Sequence, residues 1–457
     1  MLKTLFDHDK FKARKKVNPG RVIALGFLTV IFLGAALLSL PVSSRSGTPV
    51  PFLTALFTAV SATCVTGLTV VDTLETWSLF GKTVILLMIQ IGGLGFMSVT
   101  TIFFFIMRRK INLSQRLLIM RSLNLKDVEG VVRLIRHVLT GTLVFEGLGA
   151  LILWRRFLPE HGLWKGLGMG VFHSVSAFCN AGFDLMGAKG RLASLEAYSG
   201  DPAMALTVSF LVLTGGLGFF VWEDIRRNRR FKKLHLHSKM VLAVSFWLIL
   251  FGWVIFYFSE RTNPHTIGSM PFPRAALVSF FHGVTPRSGG FSLVNPASLT
   301  GMSKIVTMLL MFIGGSPGST AGGIKNVTAG ILFLSAIQSL KGKNGLTVFG
   351  RAIPQPQIIS AMSIFIIALT ASFAGTAIIV FIQPELPVSG VLFEMVSAVV
   401  TCGLSLGLTP LLSPGSMAVI MLFMFFGRVG IMAAGMAAFY KRGAGEKTRC
   451  PETWVMM

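Results

Sequence analysis

Long and short apolar segments alternate along most of this chain, and that alternation limits the folds available to it. A helix that crosses a bilayer needs about 20 mostly apolar residues, whereas a segment of about 12 is too short to cross and suits a re-entrant helix. The long segments are 22–42, 81–107, 131–154, 203–222, 239–259, 302–338, 357–382 and 414–440. The short segments lie near 51–62, 168–178, 272–283 and 388–399. The sequence therefore predicts an all-α membrane protein built from four long–short–long units.

The composition favours the same class. Hydrophobic residues make up 53% of the chain and charged residues 13%, about half of the roughly 25% that is usual in soluble domains. Intrinsic disorder requires low hydrophobicity and is excluded. The net charge of +24 alone would suit a soluble nucleic-acid-binding protein, but that class does not explain so apolar a sequence. We therefore expect no nucleic acid partner.

The basic residues predict an orientation in the membrane. The termini and the loops that share one face, together with Lys325 and Arg428, carry 31 of the 42 lysines and arginines. The positive-inside rule then places both termini in the cytoplasm. The first twenty residues are basic and contain no apolar run, so we expect a cytoplasmic tail and no cleaved signal peptide. The basic segment 226–237 is expected to meet anionic lipid headgroups or a cytosolic partner.

Each short segment ends in a glycine, and these four glycines are spaced by 115, 108 and 113 residues. They are Gly67, Gly182, Gly290 and Gly403. A phenylalanine stands ten residues before each of them, at Phe57, Phe172, Phe280 and Phe393. A serine stands six residues before three of them, and Val284 takes that place in the third unit. Glycine and phenylalanine are common in membrane proteins, but matches at one offset in all four units indicate an internal repeat.

The residues before each glycine are predicted to form an extended strand at membrane depth. A non-helical stretch at that depth must be buried in protein or line a water-filled cavity. Four such strands around one axis would present backbone carbonyls that replace the hydration shell of a cation, with glycine supplying the backbone angles that other residues resist. The residues are Cys64, Val65, Thr66 and Gly67; Cys179, Asn180, Ala181 and Gly182; Arg287, Ser288, Gly289 and Gly290; and Val400, Thr401, Cys402 and Gly403. The pattern predicts a cation pore.

The sequence resembles the Trk/Ktr/HKT superfamily of potassium transporters over nearly its whole length. The resemblance is carried by SATCVTGLTVVD (61–72), SAFCNAGFDL (176–185), HGVTPRSGGFSL (282–293), FIGGSPGSTAGGIK (312–325) and SAVVTCGLSLGLTP (397–410). It is strongest to the bacterial Ktr membrane subunit of the KtrB or KtrD type, because the first unit starts near residue 20 and the two extra N-terminal helices of Trk subunits have no room. The implied organisation is a tail over 1–20, M1–P–M2 repeats over 21–125, 126–235, 236–345 and 346–442, and a tail over 443–457.

The resemblance implies a role for the strands. The four glycines match the family's selectivity-filter glycines, and four glycines imply potassium, since a serine at the first position accompanies sodium preference in plant relatives. The cysteine sulfurs are expected to pack against the short helices while the cysteine carbonyls face the ion. A metal cluster formed by these cysteines is the alternative.

The third long segment is interrupted by residues that a straight helix does not keep together. They are Gly314, Gly315, Ser316, Pro317, Gly318, Ser319, Thr320, Ala321, Gly322 and Gly323. The simplest interpretation is a passive kink, which membrane helices tolerate. The resemblance implies a gate below the filter, held closed by Arg428. Lys325 is expected either to assist or to extend toward the cytoplasmic face.

Three other charged residues leave alternatives open, and a fourth, Arg287, has a single expected orientation. Glu146, within a long segment, is expected to face the pore cavity or to hydrogen-bond to a neighbouring helix. Asp72 and Asp184 follow the strands and either concentrate cations or cap local loops. Arg287 belongs to a family motif, and we expect its side chain to point away from the axis.

Two other classes of function compete with a pore. An alternating-access carrier would bind at broken helices near the midplane, but only the third unit is predicted to contain such a break. An enzyme is not expected, since no metalloprotease, P-loop or nucleophile-elbow motif is present. The resemblance further implies a homodimer in the cell membrane with one pore per subunit. It also implies a cytosolic RCK-type regulatory ring that binds ATP or ADP, potassium as the transported ion, and possible dependence on sodium.

Overall fold

The computed structural model describes residues 19–95, 131–187, 190, 193–342 and 345–429. Several predictions fall outside these residues. They concern the N-terminal tail, the end of the first unit's second long segment with the basic loop after it, the end of the last long segment, and the C-terminal tail.

The first half of the described chain contains eight helices. They are α1 (Pro19–Leu38), α2 (Phe52–Thr63), α3 (Thr73–Thr76), α4 (Leu79–Leu94), α5 (Val131–His161), α6 (Leu163–Phe178), α7 (Pro202–Gly216) and α8 (Phe219–Asn228). Short 3-10 turns lie at Pro41–Ser43, Glu196–Tyr198 and Phe231–Lys233. Helices α1, α2 and α4 belong to the first unit, and α5 to α8 belong to the second.

The second half continues with seven helices and a β-hairpin. The helices are α9 (Leu236–Glu260), α10 (Phe272–Val284), α11 (Gly301–Phe312), α12 (Asn326–Leu340), α13 (Gln355–Ile382), α14 (Val388–Val399) and α15 (Pro414–Val429). The hairpin pairs β1 (Leu346–Val348) with β2 (Arg351–Ile353) in antiparallel register. Two further 3-10 turns lie at Pro296–Ser298 and Thr409–Leu411. The hairpin corrects the all-α prediction in one detail, because it adds a two-stranded sheet to an otherwise helical chain.

The four predicted short helices are confirmed as α2, α6, α10 and α14, although α6 begins several residues earlier than expected. Among the described residues, three helices are long and apolar enough to cross a membrane unaided, namely Arg136–His161, Leu236–Glu260 and Gln355–Ile382. The bent pair α7 and α8 adds a fourth candidate if the two helices are one span. The chain is therefore a helical membrane protein, and the full count of eight spans stays a prediction.

One prediction about the second unit was wrong. The segment 203–222 was expected to be one unbroken span, but α7 ends at Gly216 and α8 runs at 93° to it. The bend lies at Leu217 and Gly218, and Gly218 has a φ of +90°, which is readily available to glycine alone. A break of the chain direction is thus present in the second unit as well as in the third.

The helices close into a ring. Each unit's first long helix packs on its own short helix, as α1 does on α2 and α13 on α14. Each unit's second long helix packs on the short helix of the next unit: α4 on α6, α7 on α10, α11 on α14, and α15 back on α2. This order leaves the four short helices on the inside, with their C-terminal ends near one another.

The burial pattern matches a protein surrounded by lipid. Three of the four repeated phenylalanines are buried, whereas Phe280 is half-buried. Large apolar side chains cover much of the outside, including Leu79, Phe258 and Phe381. An exposed apolar surface of this extent is rare on soluble monomers and marks contact with a membrane or a partner.

Candidate ion-conducting site

The four glycine-bearing strands share one backbone pattern. In each strand φ is positive at the glycine and also two residues before it, at Val65, Asn180, Ser288 and Thr401. The residue between them does not have a positive φ. Positive φ at non-glycine residues costs of order 1–3 kcal/mol each and clusters at functional sites. Four repeats of this conformation at equivalent positions indicate that the surrounding structure holds the strands in place.

Hydrogen bonds show which way the peptide groups of the first and fourth strands face. The Thr66 N–H donates to the Ser61 carbonyl oxygen at 2.8 Å, and the Gly67 N–H donates to the Ser61 hydroxyl at 3.1 Å. The fourth strand repeats these bonds at 2.8 Å and 3.0 Å from Cys402 and Gly403, both to Ser397. A trans peptide holds its C=O opposite to its N–H. Because the N–H groups point back toward the short helices, the carbonyls between them point away from those helices.

The strands form a closed ring in chain order. A Cβ placed on Gly67 would lie 2.5 Å from the Ala181 carbonyl oxygen, and one on Gly182 would lie 2.9 Å from the Gly290 Cα. A Cβ on Gly290 would lie 2.7 Å from the Cys402 carbonyl oxygen. On Gly403 it would collide with the Thr66 carbonyl oxygen of the first strand. Each glycine therefore lies against the next strand, and three of these contacts are with backbone carbonyl oxygens.

The third strand has a different anchor. Its Gly289 N–H donates to the Thr285 carbonyl oxygen at 2.7 Å, one residue closer in sequence than the matching bond in the other strands. The Thr285 hydroxyl donates to the Phe291 carbonyl oxygen at 2.6 Å and accepts the Phe291 N–H at 3.1 Å. Thr285 thus takes the anchoring place that serine holds in the other units, which explains why Val284 breaks the serine pattern.

The residues that interrupt the third long segment form a loop between α11 and α12, here called the central loop (residues 313–325). Its backbone is tied to α7, since the Ser316 N–H donates to the Gly216 carbonyl oxygen at 2.9 Å. The Thr320 hydroxyl accepts from Asn180 Nδ2 at 2.8 Å. A Cβ on Gly322 would collide with the Thr401 hydroxyl. The central loop therefore lies against the second and fourth strands of the ring.

Arg428 joins the central loop to the end of α4. Its guanidinium donates to the Thr320 carbonyl oxygen at 2.6 Å and to the carbonyl oxygens of Gly92 and Gly93, the latter at 3.3 Å. Lys325 donates to the Ala321 carbonyl oxygen at 2.7 Å, so its ammonium caps the loop itself. Neither side chain forms a salt bridge among the described residues. Backbone carbonyls thus compensate two cations that lie beside the loop.

The cysteine sulfurs of the strands are buried, and two of them also contact polar groups outside their own short helix. Cys402 Sγ lies 3.1 Å from the Pro286 carbonyl oxygen of the third strand. Cys179 Sγ lies 3.5 Å from Gln90 Oε1 and 3.8 Å from Glu146 Oε1. Two of the three sulfurs therefore contact groups of neighbouring units or helices. Among the described residues, no group of three His, Cys, Asp or Glu side chains could hold a metal.

The structure shows hydrogen bonds for each of the other charged residues. Glu146 Oε2 accepts from Gln90 Nε2 of α4 at 3.2 Å, as expected of a contact between helices. Asp72 Oδ1 accepts the Leu74 and Glu75 N–H groups, and Asp184 Oδ1 accepts the Met186 N–H. Both aspartates therefore cap local loops. Arg287 points into the protein and donates to the Ser245 hydroxyl at 3.0 Å.

Two features of the site were missed by the repeat pattern, and one of them carried a sequence signal of its own. The break in the second unit lies within Gly-Gly-Leu-Gly-Phe at 215–219, and the same five residues stand at 92–96. Gly95, like Gly218, has a positive φ, so this motif predicts a change of chain direction. The polar side chains around Asn326 gave no such signal, because only the folded chain brings them together.

Comparison with known proteins identifies the family. The chain matches the TrkH family, described as a cation transport protein, over residues 22–442. It is 40% identical to the potassium/sodium uptake protein NtpJ of Enterococcus hirae, over 98% of this chain and 99% of that protein. It is 39% identical to the Ktr system potassium uptake protein B of Bacillus subtilis, over 92% and 93%. The crystal structure of the potassium transporter TrkH from Vibrio parahaemolyticus superposes with a TM-score of 0.74 at 16% identity, covering 94% of this chain and 86% of that one. The chain therefore belongs to the TrkH family, as a membrane protein of the Trk/Ktr superfamily.

Proposed function

We propose that this chain is the pore-forming membrane subunit of a Ktr-type system that takes up potassium. The observation that carries the proposal is the closed ring of four glycine-bearing strands, whose amide groups are bonded to the short helices and whose carbonyls face the neighbouring strands. Such carbonyls can replace the hydration shell of a cation. Relatives at 39–40% identity over nearly full length are named as potassium or potassium/sodium uptake proteins.

In this proposal the strands act as the selectivity filter and the central loop as the gate. The four long–short–long units are the M1–P–M2 repeats, with the boundaries predicted from the sequence. The carbonyls of residues 64–66, 179–181, 288–289 and 401–402 would hold the ion. The loop would close the pore from below, with Arg428 holding it against α4.

The partners follow from the relatives' names and from the charge. One relative belongs to a Ktr system, and a second, 33% identical, is the uptake protein D of such a system in Bacillus subtilis. We infer a cytosolic RCK-type regulatory ring that binds ATP or ADP, docked near the basic segment between α8 and α9. A homodimer in the cell membrane with cytoplasmic termini completes the proposed assembly, and no catalytic activity is assigned to it.

Two other transport modes compete. A sodium-permeable pore is supported by the relative named as a potassium/sodium uptake protein. An alternating-access cation symporter is supported by the breaks in the second and third units, since such carriers bind at broken helices. The breaks belong to neighbouring units of a ring that closes in chain order, and this arrangement favours a pore.

The test is ion flux into proteoliposomes that contain the purified protein, with potassium, rubidium or sodium as the ion. Runs with and without a regulatory ring and nucleotide then examine the gate. We expect potassium and rubidium to enter faster than sodium, and Gly67→Asp to abolish entry because its side chain would fill the ring. The outcome that contradicts the proposal is no potassium entry under any of these conditions, or equal entry by Gly67→Asp. Fast sodium entry would support the sodium-permeable alternative.

A further inference from the structure

One buried hydroxyl connects the third strand to the central loop. Ser245 lies in α9, and its oxygen accepts hydrogen bonds from Arg287 Nη2 at 3.0 Å and from Asn326 Nδ2 at 3.0 Å. All three residues are buried, with exposed fractions of 5%, 6% and 0%. A serine oxygen has two acceptor lone pairs, so these two donors satisfy its whole accepting capacity.

The first donor belongs to the third strand. Arg287 directly precedes Ser288, one of the four strand residues with positive φ. Its Nε has no hydrogen-bond partner among the described residues, and no carboxylate there forms a salt bridge with it. A buried cation needs compensating contacts, and the Ser245 hydroxyl supplies one. The position of this hydroxyl therefore influences the backbone of the strand.

The second donor belongs to the central loop. Asn326 is the first residue of α12, where the loop ends, and its N–H donates to the Gly315 carbonyl oxygen at 3.0 Å. Its Nδ2 also lies 3.4 Å from the Ser316 hydroxyl, which donates to the Gly216 carbonyl oxygen at 2.9 Å. Asn326 thus connects both ends of the loop to Ser245, and any displacement of the loop changes this contact.

We propose that Ser245 is a positioning residue that couples the central loop to the conformation of the third strand. This inference rests on the proposed function, in which the loop is the gate and the strand is part of the filter. When the loop moves, Asn326 withdraws its donor and the Ser245 hydroxyl is free to rotate. Arg287 then loses its fixed acceptor, and the strand relaxes. Opening of the gate and preference among ions are therefore linked through this hydroxyl.

The test compares entry of rubidium with entry of sodium into proteoliposomes that contain the full chain. Among the described residues Asn326 forms no hydrogen bond with the strands, so a purely local role for it would leave the ratio of the two fluxes unchanged. We expect Ser245→Ala and Asn326→Ala each to lower this ratio by about threefold or more, a size usual for energetic coupling between linked sites. The double variant is expected to lower it no further, because both changes break one connection.

The matched control is Ser372→Ala. Ser372 is a buried serine in the equivalent first long helix of the fourth unit, and its hydroxyl donates only to its own helix, at the Ala368 carbonyl oxygen. We expect Ser372→Ala to keep the wild-type ratio of rubidium to sodium flux.

Two results overturn the coupling. One is a wild-type ratio for Asn326→Ala in protein that is monodisperse and transports potassium. The other is a double variant whose effect is the product of the single effects. If Asn326→Ala is not recovered folded, Asn326→Ser, a smaller change that also removes the Nδ2 donor to Ser245, takes its place. Absence of potassium entry in the wild type would instead overturn the proposed function, and the coupling with it.

Discussion

The third and fourth strands of the ring differ in what holds them. The fourth strand is anchored by a serine of its own short helix, and the turn beyond it is held by the buried carboxylate of Glu394. The third strand is anchored by Thr285, and its outer end is bonded to the preceding unit, where the Leu195 N–H donates to the Ser292 carbonyl oxygen at 2.9 Å. Both strands are anchored beside their own short helix, but the third strand is also bonded through its backbone to the preceding unit. The same backbone shape can thus be kept by different contacts, and the third strand is the one placed to respond to its surroundings.

The largest expected effect on potassium flux comes from adding a side chain where two neighbouring strands touch. In Gly403→Ala the new Cβ would collide with the Thr66 carbonyl oxygen, and in Gly290→Ala it would lie 2.7 Å from the Cys402 carbonyl oxygen. We expect both variants to lower potassium flux by about tenfold or more, since each 1.4 kcal/mol of lost ion stabilisation changes an equilibrium about tenfold. Initial rates of potassium entry into proteoliposomes measure this loss.

The control for this prediction is Gly407→Ala. Gly407 has a φ of +87°, close to the +95° of Gly403, but a Cβ there would meet nothing within 4 Å. Both substitutions therefore carry the same kind of backbone strain, about 1–2 kcal/mol in the left-handed region, and only one disturbs the ring. Equal losses of flux in the two variants would show that strain, and not ring closure, controls transport.

The sequence predicted the parts of this arrangement that repeat. The glycine period and the alternation of long and short segments located the four short helices and their strands. The anchoring residue of the third strand could not be predicted, because Val284 occupies the matching position and only the shifted backbone brings Thr285 into place. Contacts such as Arg428 with Gly92, or Ser245 with Asn326, join residues 81 or more positions apart. No periodic pattern in the sequence predicts such pairs. The bend after α7 was predictable from the repeated Gly-Gly-Leu-Gly-Phe motif, but only if that motif is interpreted as a turn.

A smaller effect, on thermal stability, is expected from removing the hydroxyls that anchor the third and fourth strands. Thr285→Val keeps the side-chain shape but leaves both the N–H and the C=O of Phe291 without the hydroxyl, whereas Ser397→Ala leaves only the Gly403 N–H. Each buried group left unpaired costs about 1–3 kcal/mol. We therefore expect Thr285→Val to lower the apparent melting temperature more than Ser397→Ala. Thermal unfolding in detergent, followed by tryptophan fluorescence, measures the difference.

Ser279→Ala is the matched control for the anchors, because the buried Ser279 hydroxyl bonds only to its own helix, at the Ala275 carbonyl oxygen. A melting temperature near that of wild type is expected from it. If Ser397→Ala lowers the melting temperature more than Thr285→Val does, the prediction is wrong. The anchor of the fourth strand would then contribute more stability than the double contact of Thr285 in the third.

The smallest effects on stability and ion flux are expected from residues that hold the outer ends of the third and fourth strands. The contacts of the two strands differ most there. Ser405 donates to Glu394 Oε1 at 2.6 Å, but the same carboxylate also accepts from Thr409 and from backbone N–H groups of the turn. Ser405→Ala removes one of several donors and is expected to cost only about 1 kcal/mol or less of stability, with potassium flux unchanged.

Ser194→Ala removes the hydroxyl that accepts the Ser292 N–H across the boundary between units. Since no other side chain among the described residues accepts from that N–H, the ratio of rubidium to sodium flux should change more in Ser194→Ala than in Ser405→Ala. Equal ratios in the two variants would mean that support from a neighbouring unit gives the third strand no special sensitivity.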